Sequence, residues 1–334
     1  MSGGPAPGAA APARLAAIDV GTNTVLLLVA EVRGEALVAV KERAEITRLG
    51  KGVDATGRLD PAAIARTVAV LADYAREARA LGATEIICVA TSAARDAANG
   101  GEFFEAARAA AGLEPEIIGG DEEARLVYAS AWRDFGGPAT VKRATSTAPE
   151  AALAVLDVGG GSTEFIVGRG AAPDARTSLQ VGAVRLTERH VRTDPLSPAD
   201  RAALVAGARA ALAPITSLAA RAPGARLVGI AGTVTTLAAV EQALPAYDAD
   251  RVHGSTLTLA QVDAVVDRLA GLAVTARAAL PGMEPKRADV ILAGGVVVAE
   301  AMRLGGFEEL VVSDRGVRWG LLHDRLARRG GASP

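Results

Sequence analysis

Short apolar runs separated by turn residues dominate the start of the chain. The runs LAAIDV from Leu15, VLLLVAEV from Val25 and EALVAVKE from Glu35 predict three consecutive strands. Apolar residues three or four positions apart then predict a helix that begins near Pro61, because this spacing places them on one face. These residues are Ile64, Val68, Leu71, Ala75 and Ala78. The chain therefore opens with three strands followed by a helix.

The rest of the chain continues this pattern and then begins it again. In the first half we predict a strand at Glu85–Ala90, a helix near Glu102–Ala111, a strand at Glu116–Ile118 and a helix from about Asp121. Residues 136–150 are rich in Gly, Pro, Ser and Thr and are interpreted as a loop or linker. The second half is predicted to contain strands at Ala152–Val158, at Thr163–Gly168 and near Thr177–Val181, and helices in Gly182–Arg192 and Pro198–Ala220.

An internal repeat supports two related domains. AAIDVGTNTVLLLVAEV from Ala16 and AVLDVGGGSTEFIVGRG from Ala154 both contain an apolar strand, Asp-Val-Gly, a polar turn and another strand. Asp19 and Asp157 are 138 residues apart, close to one domain length. We predict an α/β protein with a disordered tail at 1–13, a first domain at 14–135, a second at 151–310, and a C-terminal strand and helix at 311–328 that pack on the first domain.

Composition excludes several classes of protein. Of 334 residues, 36 are Lys or Arg and 38 are Asp or Glu, which gives a net charge of −2, and 50% are hydrophobic. This balance argues against a dedicated nucleic-acid binder, a protein bound to anionic membrane, and a disordered chain. The start of the chain lacks a signal-peptide pattern and no run is long enough to span a bilayer, so we expect a cytoplasmic protein. Cys88, in a predicted buried strand, is interpreted as a core thiol.

The two glycine loops are candidate phosphate-binding sites. Backbone amides of Gly-rich turns can converge on an anion, because glycine tolerates the conformations that such turns need. The dinucleotide fingerprint is rejected because a strand, and not a helix, follows Gly159–Gly161, and a P-loop is rejected because no Lys follows. Either loop alone is more typical of a tight hairpin turn than of a phosphate site. Two loops at matching places favour one phosphate ligand held between the halves.

Together these motifs carry a family resemblance. IDVGTNT, LDVGGGSTE, ATSAARDA at 90–97, IGGDEEARL at 118–126, VGAVRLTER at 181–189 and GIAGTVTTLAA at 229–239 resemble the exopolyphosphatase and guanosine pentaphosphate phosphatase family, in particular its compact actinobacterial members. The resemblance implies two ribonuclease-H-like domains of the actin, sugar-kinase and Hsp70 superfamily around a central cleft. It also implies hydrolysis of the terminal phosphate of inorganic polyphosphate, and in some members of pppGpp.

The resemblance assigns roles to individual residues. Glu123, the second Glu of GDEEARL, aligns with the catalytic base that activates water. Three carboxylates facing a polyanion would repel it without a hard cation between them, so Mg²⁺, with Mn²⁺ as a substitute, is expected on Asp19, Asp157 and Glu164. The residues expected to bind phosphate are Gly21, Thr22, Asn23, Arg95, Gly159, Gly160, Gly161, Ser162 and Thr163.

The sequence is compatible with four functions. The first is a metal-dependent exopolyphosphatase, and the second is a pppGpp 5′-phosphohydrolase. The third is a non-hydrolytic sensor of polyphosphate or of pppGpp and ppGpp that signals by domain closure. The fourth is an actin-like ATPase or sugar kinase, against which the context of Glu123 argues. Neither nucleic acid nor membrane is expected as a partner, and a homodimer is expected by analogy alone.

Overall fold

The structure, a computed structural model, describes residues 12–136 and 152–330. It contains two β-sheets. The first has the order β3-β2-β1-β4-β5 and consists of β1 (Arg14–Val20), β2 (Thr24–Arg33), β3 (Ala36–Ile46), β4 (Ala83–Ala90) and β5 (Glu116–Ile117). The second has the order β10-β11-β9-β6-β7-β8 and consists of β6 (Leu153–Val158), β7 (Thr163–Gly168), β8 (Ala175–Leu179), β9 (Arg226–Ile230), β10 (Thr256–Thr258) and β11 (Glu309–Val312).

Strands β1 and β6 occupy equivalent places in the two sheets. Strand β1 pairs antiparallel with β2 and parallel with β4, and β6 pairs antiparallel with β7 and parallel with β9. Asp19 lies opposite Leu26, and Asp157 lies opposite Glu164. Both strands are almost wholly buried. Their continuous apolar sequences are typical of strands that are covered on both faces of the sheet. The α/β fold with a repeated strand order is therefore confirmed.

Helices cover both sheets. Those of the first half are α1 (Val53–Thr56), α2 (Pro61–Ala80), α3 (Ser92–Asp96), α4 (Gly100–Ala111) and α5 (Gly120–Phe135). The second half contains α6 (Ala183–His190), α7 (Pro198–Leu212), α8 (Pro214–Ala219), α9 (Ala231–Glu241), α10 (Ala249–Val252), α11 (Leu259–Ala270), α12 (Val274–Ala278), a 3₁₀ turn (Pro285–Arg287), α13 (Ile291–Gly305) and α14 (Val317–Gly330). Helix α2 begins as predicted, with the Asp60 side chain accepting a hydrogen bond from the amide of Ala63 at 2.8 Å.

Helices α5 and α14 cross between the halves. Helix α5 belongs to the first half of the sequence but packs against β6, β7 and β8 of the second sheet. Helix α14 packs in turn against α5 and β1 of the first. The expectation that the C-terminal strand packs on the first domain is wrong, because β11 lies between β9 and β10 in the second sheet. Each half of the sequence therefore contributes one helix that packs against the sheet of the other half.

Two element boundaries also differ from the sequence prediction. The helix predicted over Pro198–Ala220 is interrupted at Ala213, because Pro214 has no amide hydrogen and starts a new helix. The strand predicted near Thr177–Val181 is β8, which ends at Leu179. The predicted tail and linker lie outside the described residues, except Pro12, Ala13 and Gly136. None of the helices in residues 12–136 and 152–330 combines the length and apolar character needed to cross a membrane.

Candidate active site

A cleft of about 1090 Å³ lies between the two halves at the ends of β1 and β6. Ten of the residues singled out from the sequence line it, namely Asp19, Gly21, Thr22, Asn23, Glu123, Asp157, Gly159, Gly160, Gly161 and Ser162. Arg95, Thr163 and Glu164 do not line it. The structure thus gathers most of the predicted site at one place, although the two glycine loops are far apart in sequence.

The first glycine loop is held from outside the cleft. The amide of Gly50 donates to the carbonyl of Thr22 at 2.8 Å, and the amides of Thr47 and Arg48 donate to the carbonyl of Asn23 at 3.1 and 3.0 Å. Because a trans peptide is planar, the N–H that follows each bound carbonyl points the opposite way. The Asn23 side-chain Nδ2 is also buried, with no acceptor among the described residues. The loop therefore offers hydrogen-bond donors toward the cleft.

The second glycine loop is held in the same manner by α6. The carbonyls of Gly159 and Gly160 accept from the amides of Ala183 and Val184 at 3.0 and 2.9 Å. The carbonyl of Gly161 accepts from Nε of Arg185 at 2.9 Å. We find no acceptor in the described part of the chain for the amides of Gly160, Gly161 and Ser162. Converging free amides of this kind form an anion-binding nest.

Four buried carboxylates affect one another's pKa at the cleft: Asp19, Asp157 and Glu123 line it, and Glu164 lies opposite Asp157 in the next strand. Burial raises the pKa of Asp19 to about 6, against the opposing charge of Arg318. Burial raises the pKa of Glu164 to about 7, although the hydroxyl of Ser178 donates to its Oε1 at 2.6 Å. The pKa of Asp157 is raised by burial and then by the charges of Glu164 and Asp19. Such mutual repulsion is relieved when a cation or a proton enters the cluster.

Glu123 projects toward this cluster from the first turn of α5. Its side chain is 11% exposed, and Oε2 has no hydrogen-bond donor within residues 12–136 and 152–330. Burial raises its pKa, and the charges of Glu164, Asp157 and Asp19 raise it further. Gly120, at the start of α5, allows the helix to lie close to β8, because a Cβ at this position would be only 2.4 Å from Cβ of Ser178. The crossing of α5 to the second sheet thus brings Glu123 to the carboxylates of that sheet.

Arg95 and Thr163 are placed differently from the sequence expectation. Arg95, in α3, donates to the carbonyl of Ile118 at 3.2 Å and lies beside Glu123, outside the lining of the cleft. Thr163 is fully buried, and its hydroxyl donates to the carbonyl of Val181 at 2.6 Å. That hydroxyl proton is therefore unavailable to phosphate, which corrects the role expected for Thr163. Its contact instead fixes β7 to the segment before α6.

The residues present fit a hard cation bound partly by water. In the described ranges no group of three or more His, Cys, Asp or Glu side chains is arranged to hold a metal ion by itself. Mg²⁺ normally keeps several waters and takes one or two carboxylates together with substrate phosphate. Asp19 and Asp157 both line the cleft, and Oδ1 of Asp19 is buried without a hydrogen-bond donor among the described residues. This orphaned oxygen is suited to such a cation.

Sequence reasoning missed the arginines that line the cleft, two of which come from the second half of the chain. Arg287 donates to Oγ1 of Thr24 at 3.3 Å, and no carboxylate of the described residues lies within 4.0 Å of it. Burial lowers the pKa of Arg287. Arg318, at the start of α14, donates to the carbonyl of Leu27 at 2.7 Å and pairs with Glu42 at 3.2 Å. Neither position carries a local sequence signal, because only packing of the second half brings it to the cleft.

The two sheets repeat the same strand order, each carries a glycine loop of the phosphate-binding type, and both loops line one shared cleft. This arrangement defines an actin-like, two-domain protein built around an anion site. The model of the Ppx/GppA phosphatase family matches residues 28–329. The chain therefore belongs to the Ppx/GppA phosphatase family.

Individual relatives agree with this assignment. Exopolyphosphatase 2 of Mycobacterium tuberculosis is 40% identical over 322 residues, which cover 92% of this chain and 97% of that protein. The crystal structure of the Ppx/GppA family member of Aquifex aeolicus has a TM-score of 0.77 at 32% identity and covers 95% of this chain and 98% of that one. An exopolyphosphatase from Cytophaga hutchinsonii, with a TM-score of 0.84 at 23% identity over 94% of this chain and 98% of its own, shares the fold.

Proposed function

We propose that this protein is an exopolyphosphatase, which hydrolyses the terminal phosphoanhydride bond of inorganic polyphosphate and releases orthophosphate. The observation that carries the proposal is the pairing of two anion-binding loops with the buried carboxylate of Glu123 in one cleft. The name of the M. tuberculosis relative, which shares most of its length with this chain, gives the substrate class. The family description supplies the reaction class, that of a phosphatase.

The chain's own groups bind and orient the terminal phosphate. The free amides of Gly160, Gly161 and Ser162 donate to its oxygens from one side, and the amides of the first loop with Nδ2 of Asn23 donate from the other. The guanidinium of Arg287 is placed to neutralise a further phosphate of the chain. Most catalysis of phosphoryl transfer comes from such positioning and charge stabilisation.

Glu123 then acts on the attacking water. Because its pKa is raised, the ionised carboxylate of Glu123 is a stronger base than an exposed glutamate and is suited to accept a proton. The water oxygen bonds to the terminal phosphorus, the bridging P–O bond breaks, and the water proton passes to Oε2 of Glu123. The products are orthophosphate and a chain shorter by one unit. Asp19 and Asp157, which line the cleft, are the residues that would hold Mg²⁺ or Mn²⁺, which when bound would neutralise phosphate charge. Glu164 lies opposite Asp157 in the next strand and would add its negative charge from there.

The test compares phosphate release from polyphosphates of defined length, from pppGpp and from ATP under identical conditions. Exopolyphosphatase activity predicts release from polyphosphate that is lost in the Glu123→Gln variant and retained in Glu122→Gln. Preferred turnover of ATP would instead indicate an ATPase or kinase. Polyphosphate binding without any turnover would indicate a sensor. Dimerisation and a cytoplasmic location stay predictions.

Hydrolysis of pppGpp is a second candidate, and one feature of the cleft favours it. Tyr247 is 55% exposed and lines the same cleft together with Pro245, Leu280 and Met283. An accessible aromatic ring beside apolar side chains is a surface on which a nucleobase can stack. Tyr247→Ala is therefore expected to weaken use of pppGpp, measured as kcat/KM, and to leave use of inorganic polyphosphate unchanged.

A further inference from the structure

The motif VGAVRLTER forms α6, and the mechanism above uses none of its side chains. Within it, Arg185 has a side chain that is only 14% exposed, although it lies at the boundary between the two halves. Burying most of a guanidinium is costly unless its donors are satisfied. The partners of Arg185 therefore indicate what this position does.

One guanidinium joins three segments. Nε of Arg185 donates to the carbonyl of Gly161 at 2.9 Å, in the second glycine loop. Nη2 donates to Oδ2 of Asp96 at 3.0 Å, in α3 of the first half. Nη1 pairs closely with Oδ1 of Asp54, in α1 of the first half. Arg185 thus contacts the loop of its own half and two carboxylates of the other half at once.

The contact with Gly161 controls a donor of the phosphate site. The peptide that joins Gly161 to Ser162 is planar, so holding its carbonyl on the α6 side directs the Ser162 N–H to the cleft side. The carbonyls of Gly159 and Gly160 are held by backbone amides of α6 and need no side chain. Within the nest, the Gly161–Ser162 peptide is therefore the one whose orientation depends on a side chain.

The contacts with the first half depend on domain closure. Asp96 is the neighbour of Arg95 in α3 and also accepts from the hydroxyl of Ser92 at 3.2 Å. Asp54 lies in α1, which a second contact ties to α6, since the amide of Gly52 donates to Oε1 of Glu188 at 2.8 Å. These contacts exist only while the two halves stay close. Opening the cleft would leave the guanidinium with the Gly161 carbonyl and with Oε1 of Gln180, to which Nη2 donates at 3.2 Å, and without either carboxylate.

We propose that Arg185 is a positioning residue that couples domain closure to the orientation of the Ser162 amide, so that the second phosphate loop is complete only in the closed protein. When the halves meet, Asp96 and Asp54 hold the guanidinium of Arg185 in one orientation. In that orientation its Nε binds the carbonyl of Gly161 and so sets the orientation of the Gly161–Ser162 peptide. The proposal rests on the proposed function insofar as turnover reports on it. Its second readout, ligand binding with domain closure, does not require any particular reaction.

The kinetic test compares Arg185→Met with Arg189→Met. Arg189 lies one turn further along α6, is 48% exposed and also pairs with Asp54, but does not contact the loop. Since a misplacement of about 1 Å can cost roughly 100-fold in rate, Arg185→Met is expected to lower kcat by about 10- to 100-fold with a smaller change in KM. Arg189→Met should remain within about twofold of wild type, as expected for an exposed ion pair.

A double-mutant cycle tests the link between the halves. Asp96→Asn should lower kcat in the wild-type background and add little in the Arg185→Met background, because both changes remove one connection. Arg185→Lys keeps the charge but cannot reach three partners at once, so it should rescue little. Additive effects of Asp96→Asn and Arg185→Met, or equal losses in Arg185→Met and Arg189→Met, would overturn the proposal.

The binding test separates this proposal from the proposed function. Inorganic triphosphate is titrated calorimetrically into Glu123→Gln and into the Glu123→Gln/Arg185→Met double variant, and the radius of gyration is followed by X-ray scattering. We expect triphosphate to compact the first protein and to compact the second less. Equal compaction with equal affinity would overturn the role of Arg185. Absence of phosphate release by the wild-type protein, with the compaction difference intact, would overturn only the proposed function.

Discussion

Oε2 of Glu123 lies 4.0 Å from Nη1 of Arg95, within reach of its charge but too far for a hydrogen bond. The positive charge of Arg95 lowers the pKa of Glu123, while burial and the neighbouring carboxylates raise it and prevail. As a result, Oε2 of Glu123 has no hydrogen-bond donor among the described residues and is suited to accept a proton. This relationship distinguishes Glu123 from Glu122, whose two oxygens accept from Arg125 at 2.6 and 2.8 Å.

Replacement of Glu123 tests its role as the base. Glu123→Gln keeps the size and removes the charge, so turnover of polyphosphate should fall by about 10²- to 10⁴-fold, the typical contribution of a general base. Triphosphate affinity should be retained or rise, because a negative charge leaves the cleft. Glu122→Gln is the matched control and should stay close to wild type. Loss of binding together with turnover in Glu123→Gln would show a structural or metal-linked role.

Metal removal tests the function of the carboxylate cluster. Phosphate release should stop in excess EDTA and return with Mg²⁺ or Mn²⁺, whereas Ca²⁺ should replace them poorly because its coordination geometry is looser. Asp157→Asn should raise the Mg²⁺ concentration needed for half-maximal activity, because it removes one of the anionic groups that line the cleft. Undiminished turnover in EDTA would exclude a metal requirement.

The raised pKa values also predict how stability depends on pH. In the folded protein the pKa of Asp19 is about 6 and that of Glu164 about 7, against 3.8 and 4.5 as ordinary values. Between these limits the folded state binds more protons at these two groups than the unfolded state does, so their contribution to stability is full at low pH and is lost as pH rises through about 6 and 7. For Asp19 alone the loss is on the order of 3 kcal/mol.

Thermal melting in EDTA measures this effect. The Tm of the wild-type protein should fall between about pH 4 and about pH 7, and Asp19→Asn, which cannot ionise, should flatten that part of the curve. Added Mg²⁺ should raise the Tm most at the high end of the range, where the carboxylates are charged. A wild-type Tm that rises steadily over this range would contradict the assigned direction of the pKa shifts.

Gly161 is expected to tolerate no side chain. A Cβ there would lie 2.6 Å from Oγ of Ser92 and 2.8 Å from Oγ1 of Thr22, both in the first half. Gly161→Ala should therefore force the hydroxyls of Ser92 and Thr22 to move away from the second glycine loop and lower kcat/KM for polyphosphate, by at most roughly 10²-fold, the cost of misplacing a reacting group. Gly170→Ala, at a position where a Cβ would meet no described residue within 4 Å, is the control and should leave kcat/KM unchanged.

The sequence by itself determined the repeated strand order, the two Asp-Val-Gly loops and the family, because these depend on local periodicity and on residues adjacent along the chain. It did not place α5, since a helical period shows that one face is buried and does not show which sheet buries it. That choice of sheet decides that Glu123 meets Asp157 and Glu164.

Only the tertiary structure decided how individual polar groups are used. Thr163 and Ser162 are neighbours in one motif, yet the hydroxyl of Thr163 is bound by Val181 while the amide of Ser162 faces the cleft. Arg287 lies in a stretch with no chemical signature, and Arg185 lies in the motif VGAVRLTER, whose sequence does not reveal its partners. Both become part of the site through contacts with residues more than twenty positions away. Such contacts depend on how whole helices and sheets pack together, because a hydrogen bond joins atoms that are close in space wherever they lie along the chain.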